Sequence, residues 1–378
     1  MKSGKHHIND KQLHRTTSND KGFFHSLKAQ SAIEYLMTYG WMLLVVAIVG
    51  GAIFSVVGDQ NISSVTGFEG ESLQVSDFGV NPTGLSISAQ NNGANEVRIR
   101  EVKLSDGQQN RSIPLNEELS PTENKVINLP SVRSTSGSNE VDITFITDIG
   151  ALENITVEGS ITGGLEIDQD LQGFWTLSEV HSHEDKALDL SGNQNDAEVV
   201  GDLEWSETSL GIKPKFTSSN YLKTSSEEFL NITEELTLSA WVKPDSKDSD
   251  TQDYILDYRS SAGDGYYLMH GTTNADQDFQ FRYDNSRVYS GFSPEIGEKY
   301  HVLGRYDGDR VEIYVDGELE ASSSASSGDG IDAEIFTIGN SHRESQNFEG
   351  TISNVRVYDR AISDNAVQFL FENPGLVS

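Results

Sequence analysis

The stretch LTLSAWVKP, residues 236–244, decides the fold class. Leu236, Leu238, Ala240 and Val242 fall on one side of an extended chain, while Thr237, Ser239, Trp241 and Lys243 fall on the other. A period of two is the mark of a strand with one face in a core. RVEIYVDGELE, residues 310–320, repeats the pattern: Val311, Ile313 and Val315 point inward, Asp316-Gly317 makes a tight hairpin turn, and Leu319 returns. Asp307-Gly308 turns the preceding strand in the same manner. With EIFTIGN (334–340) and GTISNVRVYDRAIS (350–363), residues 174–378 are expected to form one large antiparallel sandwich of roughly a dozen strands.

Upstream, a second strand-rich region runs over residues 59–163. LQV (73–75), LSISA (85–89), VRIREVKL (97–104), KVINL (125–129), VDITFI (141–146) and ITVEGSI (155–161) alternate. NPTG (81–84), SDGQQN (105–110) and STSGSN (134–139) separate them as turns. This reads as a small immunoglobulin-like β-sandwich acting as a spacer or packing unit. Between the two modules, the GG pair and acidic tail of ITGGLEIDQDLQG suggest a short exposed linker at 164–173. The EIDQD string has the opening of a paired-carboxylate catalytic strand, with Glu166 and Asp168 two apart. It lacks the closing glutamate, so it reads as solvated linker.

The chain carries 59 acidic against 27 basic residues, a net charge of -32, and no cysteine. Such a surface repels nucleic acid, and the absence of thiols excludes a cysteine nucleophile, a thiolate zinc site and an iron–sulfur cluster. The basic residues are concentrated early: Lys2, Lys5, Lys11, Arg15, Lys21 and Lys28 face only Asp10 and Asp20 within residues 1–29. From Tyr35 to Val57 there is no charge at all. A helix over that run reaches about 35 Å, enough for a bilayer core of about 30 Å. The basic flank places the N-terminus in the cytoplasm and the acidic bulk outside. Residues 30–58 are therefore expected to form a single-pass transmembrane helix behind a cytoplasmic leader, residues 1–29.

Glu34 stands at the start of that helix, where a buried carboxylate needs a partner. The run KAQSAIEYLMTYGW resembles the class III signal peptide of archaeal type IV pilin-like proteins. Lys28 corresponds to the basic residue before the cut, Ala29 to the small residue at the cut, Gln30 to the first mature residue and Glu34 to the fifth. The resemblance implies cleavage by a prepilin peptidase, an anchor in membrane lipid, and assembly with other pilin-like subunits through the helix. The new amine at Gln30 would then compensate the glutamate of a neighbour.

The larger module resembles a laminin-G-like, concanavalin A-like jelly roll. GFWTLSE (173–179), DLSGNQND (189–196), LTLSAWVKP, RYDGDRVEIYVDGE (305–318) and FEGTISNVRVYDRAIS (348–363) follow in the order of that family's landmarks. The loop offers Asp189, Asn193, Asn195 and Asp196 as oxygen ligands, and the resemblance implies calcium there. The same side chains equally suit capping of their own backbone. Tyr266, Tyr267, Tyr283 and Tyr289 are candidates for a sugar-stacking face, with core packing as the competing reading. Asn61, Asn110, Asn154 and Asn231 each open an N-x-S/T triplet and are candidate glycan acceptors.

Together these features describe a cell-surface binding protein, an adhesin with a lectin-like head for an extracellular glycan or surface protein. It requires no enzymatic chemistry. An anchored glycoside hydrolase is one alternative, and a minor pilin or envelope scaffold making protein contacts only is another. Processing has a direct readout. The mass of the chain extracted from membranes is expected to lack residues 1–29; an intact leader would refute cleavage.

Overall fold

Alternation in the strands of the C-terminal module becomes two stacked sheets, because each strand has one apolar face to bury. The computed structural model describes residues 63–178, 181–182, 185–208, 211–224, 230–246, 252–271, 278–325 and 333–374. The chain divides into two units, Met1–Gly58 and Asp59–Ser378, and all described residues belong to the second. The apolar run and its processing residues Lys28, Ala29, Gln30 and Glu34 lie outside the described residues, as does Asn61.

The first sheet of the larger sandwich has the order Lys186–Ala187, Ala197–Val200, Tyr221–Thr224, Phe336–Ile338, Asp253–Arg259, Gly265–His270, Phe279–Tyr283, Ser286–Tyr289. The second runs Glu204–Thr208, Gly211–Phe216, Gly350–Tyr358, Leu236–Pro244, Tyr300–Tyr306, Arg310–Val315, Glu318–Ser324, with Leu171–Trp175 also paired to Gly350–Tyr358. Leu236, Leu238, Ala240 and Val242 lie in the core between them, together with Val311, Ile313 and Val315. Asp316 and Gly317 both take positive φ, 50° and 83°, as a two-residue hairpin with right-handed strand twist requires. Trp175 is fully buried, stacks on Phe336 and donates its indole N–H to the Asn195 carbonyl at 3.0 Å. Its ring occupies the space over Gly173, where a Cβ would lie 2.2 Å from it.

The smaller module pairs a five-stranded sheet (Ser64–Thr66, Leu152–Ile167, Val132–Ile149, Val97–Ser105, Asn110–Leu119) with a three-stranded one (Leu73–Asn81, Gly84–Asn91, Asn124–Leu129). Two features differ from the sequence reading. STSGSN, expected as a turn, lies inside the 18-residue strand Val132–Ile149, where the register shifts between Ser134 and Asn139. The glycine pair expected in or beside an exposed linker sits in the facing strand, with Gly163 opposite Asn139. A bulge absorbs the extra residues and lets turn-forming composition remain in a ladder.

The joint between the modules is buried. Leu165, Ile167, Leu171 and Phe174 belong to a continuous apolar cluster. That cluster runs from the smaller sandwich to Leu303, Tyr314 and Tyr358 on the outward side of the second sheet. It continues to Ala366, Val367 and Leu370 of the helix Asp364–Glu372. Ser363 caps that helix, its hydroxyl accepting from the Ala366 N–H at 3.3 Å. At the centre of the joint Asp168 is fully buried. It pairs with Arg360 at 3.1 Å and Arg133 at 3.8 Å, and its Oδ1 accepts the Asp170 N–H at 3.1 Å.

Asp359 borders this network, and partial desolvation followed by the charges of Asp170 and Asp168 pushes its carboxyl up to about 6. A carboxyl raised in the folded state favours folding when protonated. That contribution is whole below about pH 4 and fades as pH rises through about 6. Asp359→Asn is therefore expected to raise the melting temperature slightly at pH 7 and to leave it unchanged near pH 4, measured by thermal denaturation at both values.

Candidate functional site

The carboxylates of EIDQD are committed to arginines. Glu166 accepts from Arg133 Nε at 2.7 Å, and Asp170 pairs with Arg133 and with Arg360. They brace the joint, and the solvated linker expected there is replaced by an ion-paired one.

The DLSGNQND loop is equally self-satisfied. Asp189, 1% exposed, accepts from the backbone N–H groups of Phe174 (2.9 Å), Ser191 (2.8 Å) and Asn195 (3.0 Å), and from the Ser191 hydroxyl (2.7 Å). Asp196 accepts the Asp189 N–H at 3.0 Å and pairs with Lys186 at 2.7 Å. The amides of Asn193 and Asn195 donate to carbonyls of the strand Leu171–Trp175, at 2.8 Å to Leu171 and 3.0 Å to Gln172. These are the contacts of side chains capping their own loop and stitching it to a strand. Among the described residues no group of three or more His, Asp or Glu is placed to hold a metal ion.

The four tyrosines divide between two faces. Tyr266 and Tyr283 point into the core, their hydroxyls donating to the carbonyls of Leu230 (3.0 Å) and Ile232 (3.1 Å). Their place on a binding face is thus corrected: Tyr266 and Tyr267 are neighbours on one strand and must point to opposite sides. Tyr267 and Tyr289 face outward from the first sheet, and there the register assembles a surface that the sequence reading missed.

Two cross-strand rows make this surface. One runs Thr337, Asp257, Tyr267, Arg282, Arg287; the other runs Tyr254, Met269, Gln280, Tyr289. Tyr254, Tyr267 and Met269 form a small apolar cluster separate from the main core. The two rings meet edge to face at 5.2 Å. The Arg259 guanidinium lies 4.7 and 4.5 Å from their centroids, held there by both Asp257 oxygens at 2.7 Å. His342 donates its backbone N–H to Asp257 at 2.8 Å. Gln280 donates to the Tyr267 hydroxyl at 2.6 Å, and burial pushes that phenol up to about 12, so it stays neutral.

Toward the sheet edge the surface opens. Tyr289 is 44% exposed beside the exposed Arg287, and Arg282 stands 5.9 Å from the Tyr267 ring. Among the described residues neither Arg282 nor Arg287 has a carboxylate partner. Planar N–H donors with spare capacity beside aromatic rings suit ligands that combine hydroxyl or acidic oxygens with an apolar face. Asn110, Asn154 and Asn231 are all exposed.

With this geometry in view, residues 216–368 match the family described as the Concanavalin A-like lectin/glucanases superfamily. That stretch is a concanavalin A-like, laminin-G-like jelly roll. Among solved structures, the chain is similar to domain 4 of AbnA, a GH43 extracellular arabinanase from Geobacillus stearothermophilus, in complex with arabinotriose. The identity is 14%, with 53% of this chain and 98% of that one covered and a TM-score of 0.43. The binding domain of Paraclostridial Mosquitocidal Protein 1 is similar at 16% identity, 54% and 52% coverage and a TM-score of 0.45. A binding domain of Botulinum neurotoxin DC, in complex with rat synaptotagmin II, follows at 14%, 53% and 51%, and 0.42. The chain spans about half the length of these two toxin chains. No curated protein matches it.

The loop's two readings, capping and calcium binding, are separable. Asp189→Ala strands several buried N–H donors and is expected to cost about 2–4 kcal/mol. Chemical denaturation should give the same loss with calcium as with a chelator; a loss confined to the calcium-loaded protein would favour the ion.

Proposed function

We propose that this is a surface-displayed adhesin, anchored by its N-terminal helix, whose jelly-roll head binds an extracellular glycan through the outward face of the first sheet. One observation carries the reading. The row Tyr267, Arg282, Arg287 places two guanidiniums, without carboxylate partners among the described residues, beside aromatic rings in a chain whose net charge is -32. A sugar lays its C–H face on a ring such as Tyr289 and offers its oxygens to the arginines. Binding of this kind needs no catalytic pair, and the EIDQD carboxylates have other duties.

The anchor reading rests on the uncharged run, the basic leader and the pilin-like processing residues. Cleavage after Ala29 and assembly through Glu34 into a surface filament follow from the same resemblance. The exposed acceptors Asn110, Asn154 and Asn231 suit an outward-facing glycoprotein.

The test is a glycan array probed with the full chain in detergent, followed by titration of the best ligand. Arg282→Ala and Tyr289→Ala are each expected to weaken binding about tenfold or more, with unchanged melting. An array without signal would leave the scaffold function in place of the adhesin.

A further inference from the structure

A cleft opens where the outward face of the five-stranded sheet meets the DLSGNQND loop of the jelly roll. It holds about 340 Å³ and is lined from the sheet by Lys103, Asn110, Asp142 and Thr144, and from the loop by Gly192 and Gln194. That volume falls within the range of about 300–1,000 Å³ typical of small-ligand sites. Strand pairing sets the lining. Ser105 has Asn110 opposite it on one neighbouring strand and Asp142 on the other, and Lys103 stands likewise between Ser112 and Thr144. Side chains in such cross-strand rows share a face. The loop comes close because Gly192 has no side chain: a Cβ there would lie 2.8 Å from the Arg111 Cβ. Gln194 takes a positive φ of 64° and stands exposed on the loop.

The polar groups around the cleft are uncommitted. Among the described residues the side chains of Asn110, Asp142 and Gln194 make no hydrogen bond or ion pair. Lys103 has a single distant carboxylate, Glu101 at 3.9 Å. An ammonium, a carboxylate and an amide side by side both donate and accept, as a hydroxyl-rich ligand requires. Lys103 and Asp142 offset one another, so the cleft suits a neutral sugar better than an ion. Asn110 is exposed and opens the triplet Asn110-Arg111-Ser112, so the sugar can be bonded to the rim itself. Single hydroxyl contacts are weak, but a short tether holds the first sugars beside the cleft at an effective concentration on the order of millimolar.

We propose that a glycan carried on Asn110 folds back into this cleft and links the two modules, through Lys103 and Asp142 on one side and Gln194 on the other. The inference rests on the outward-facing glycoprotein reading above. Attachment joins Asn110 Nδ2 to the anomeric carbon of an oligosaccharide supplied by a phosphate-activated lipid carrier. The carbon–oxygen bond to phosphate breaks, and the displaced amide proton leaves with the phosphate. Asn154 provides an internal contrast: it lies at the far end of the same sheet, its N–H bonded to Asp148, which pairs in register with Arg98.

The experiment uses the full chain, purified in detergent from the cells that make it, with glycopeptide mapping followed by thermal denaturation. Asn110 is expected to carry a glycan. Asn110→Gln is expected to lower the melting temperature by about 2 °C or more, and Asn154→Gln to leave it unchanged. Gln194→Ala and Asp142→Ala are each expected to lower melting in the glycosylated protein and to have no further effect in the Asn110→Gln background. A bare Asn110 beside a modified Asn154 or Asn231 overturns the inference alone. No glycan at any acceptor overturns the glycoprotein reading with it. Equal effects of Gln194→Ala and Asp142→Ala with and without the glycan overturn the seating in the cleft.

Discussion

The two modules of the described part meet around one buried carboxylate. Asp168 sits at zero exposure between two modules, and a lone charge there would be prohibitive. Its partners come from both sides: Arg133 from the long strand Val132–Ile149 of the smaller sandwich, Arg360 from just beyond the last strand of the jelly roll. Glu166 and Asp170 complete the set around Arg133. Leu171 and Phe174, just downstream, lie in a core shared by the two modules. The Asp189 loop packs on the same strand, and the Phe174 N–H is one of the donors to its carboxylate.

Where periodicity governed, the sequence was readable. LTLSAWVKP buries the four residues its alternation puts inward, and Asp316-Gly317 makes the hairpin its composition demands. Where local composition was overruled by pairing, it was not. STSGSN and the glycine pair look like turns in isolation, yet they face each other across a bulged ladder whose other rungs carry them along. The outward face of the first sheet illustrates a second limit. Tyr266 and Tyr267 were named together as candidates, although adjacent residues on a strand cannot share a side. Arg282 and Arg287 escaped notice because their position next to Tyr267 depends on which strands pair and in what register, information that no single segment contains.

Charge gives the outward face of the first sheet its character. Against a background of -32, Arg282 and Arg287 stand there without carboxylate partners among the described residues. The acidic surroundings repel other copies of the chain and oppose the approach of any anion to these arginines.

The buried joint also limits how this architecture can be inherited. A recombination event that cut at the glycine pair and transplanted the jelly roll alone would carry Asp168 away from Arg133. It would also bare the rings of Phe174, Tyr314 and Tyr358. New combinations of stalk and head in such a lineage are expected to arise by divergence of the surfaces, with both modules travelling together as one heritable block.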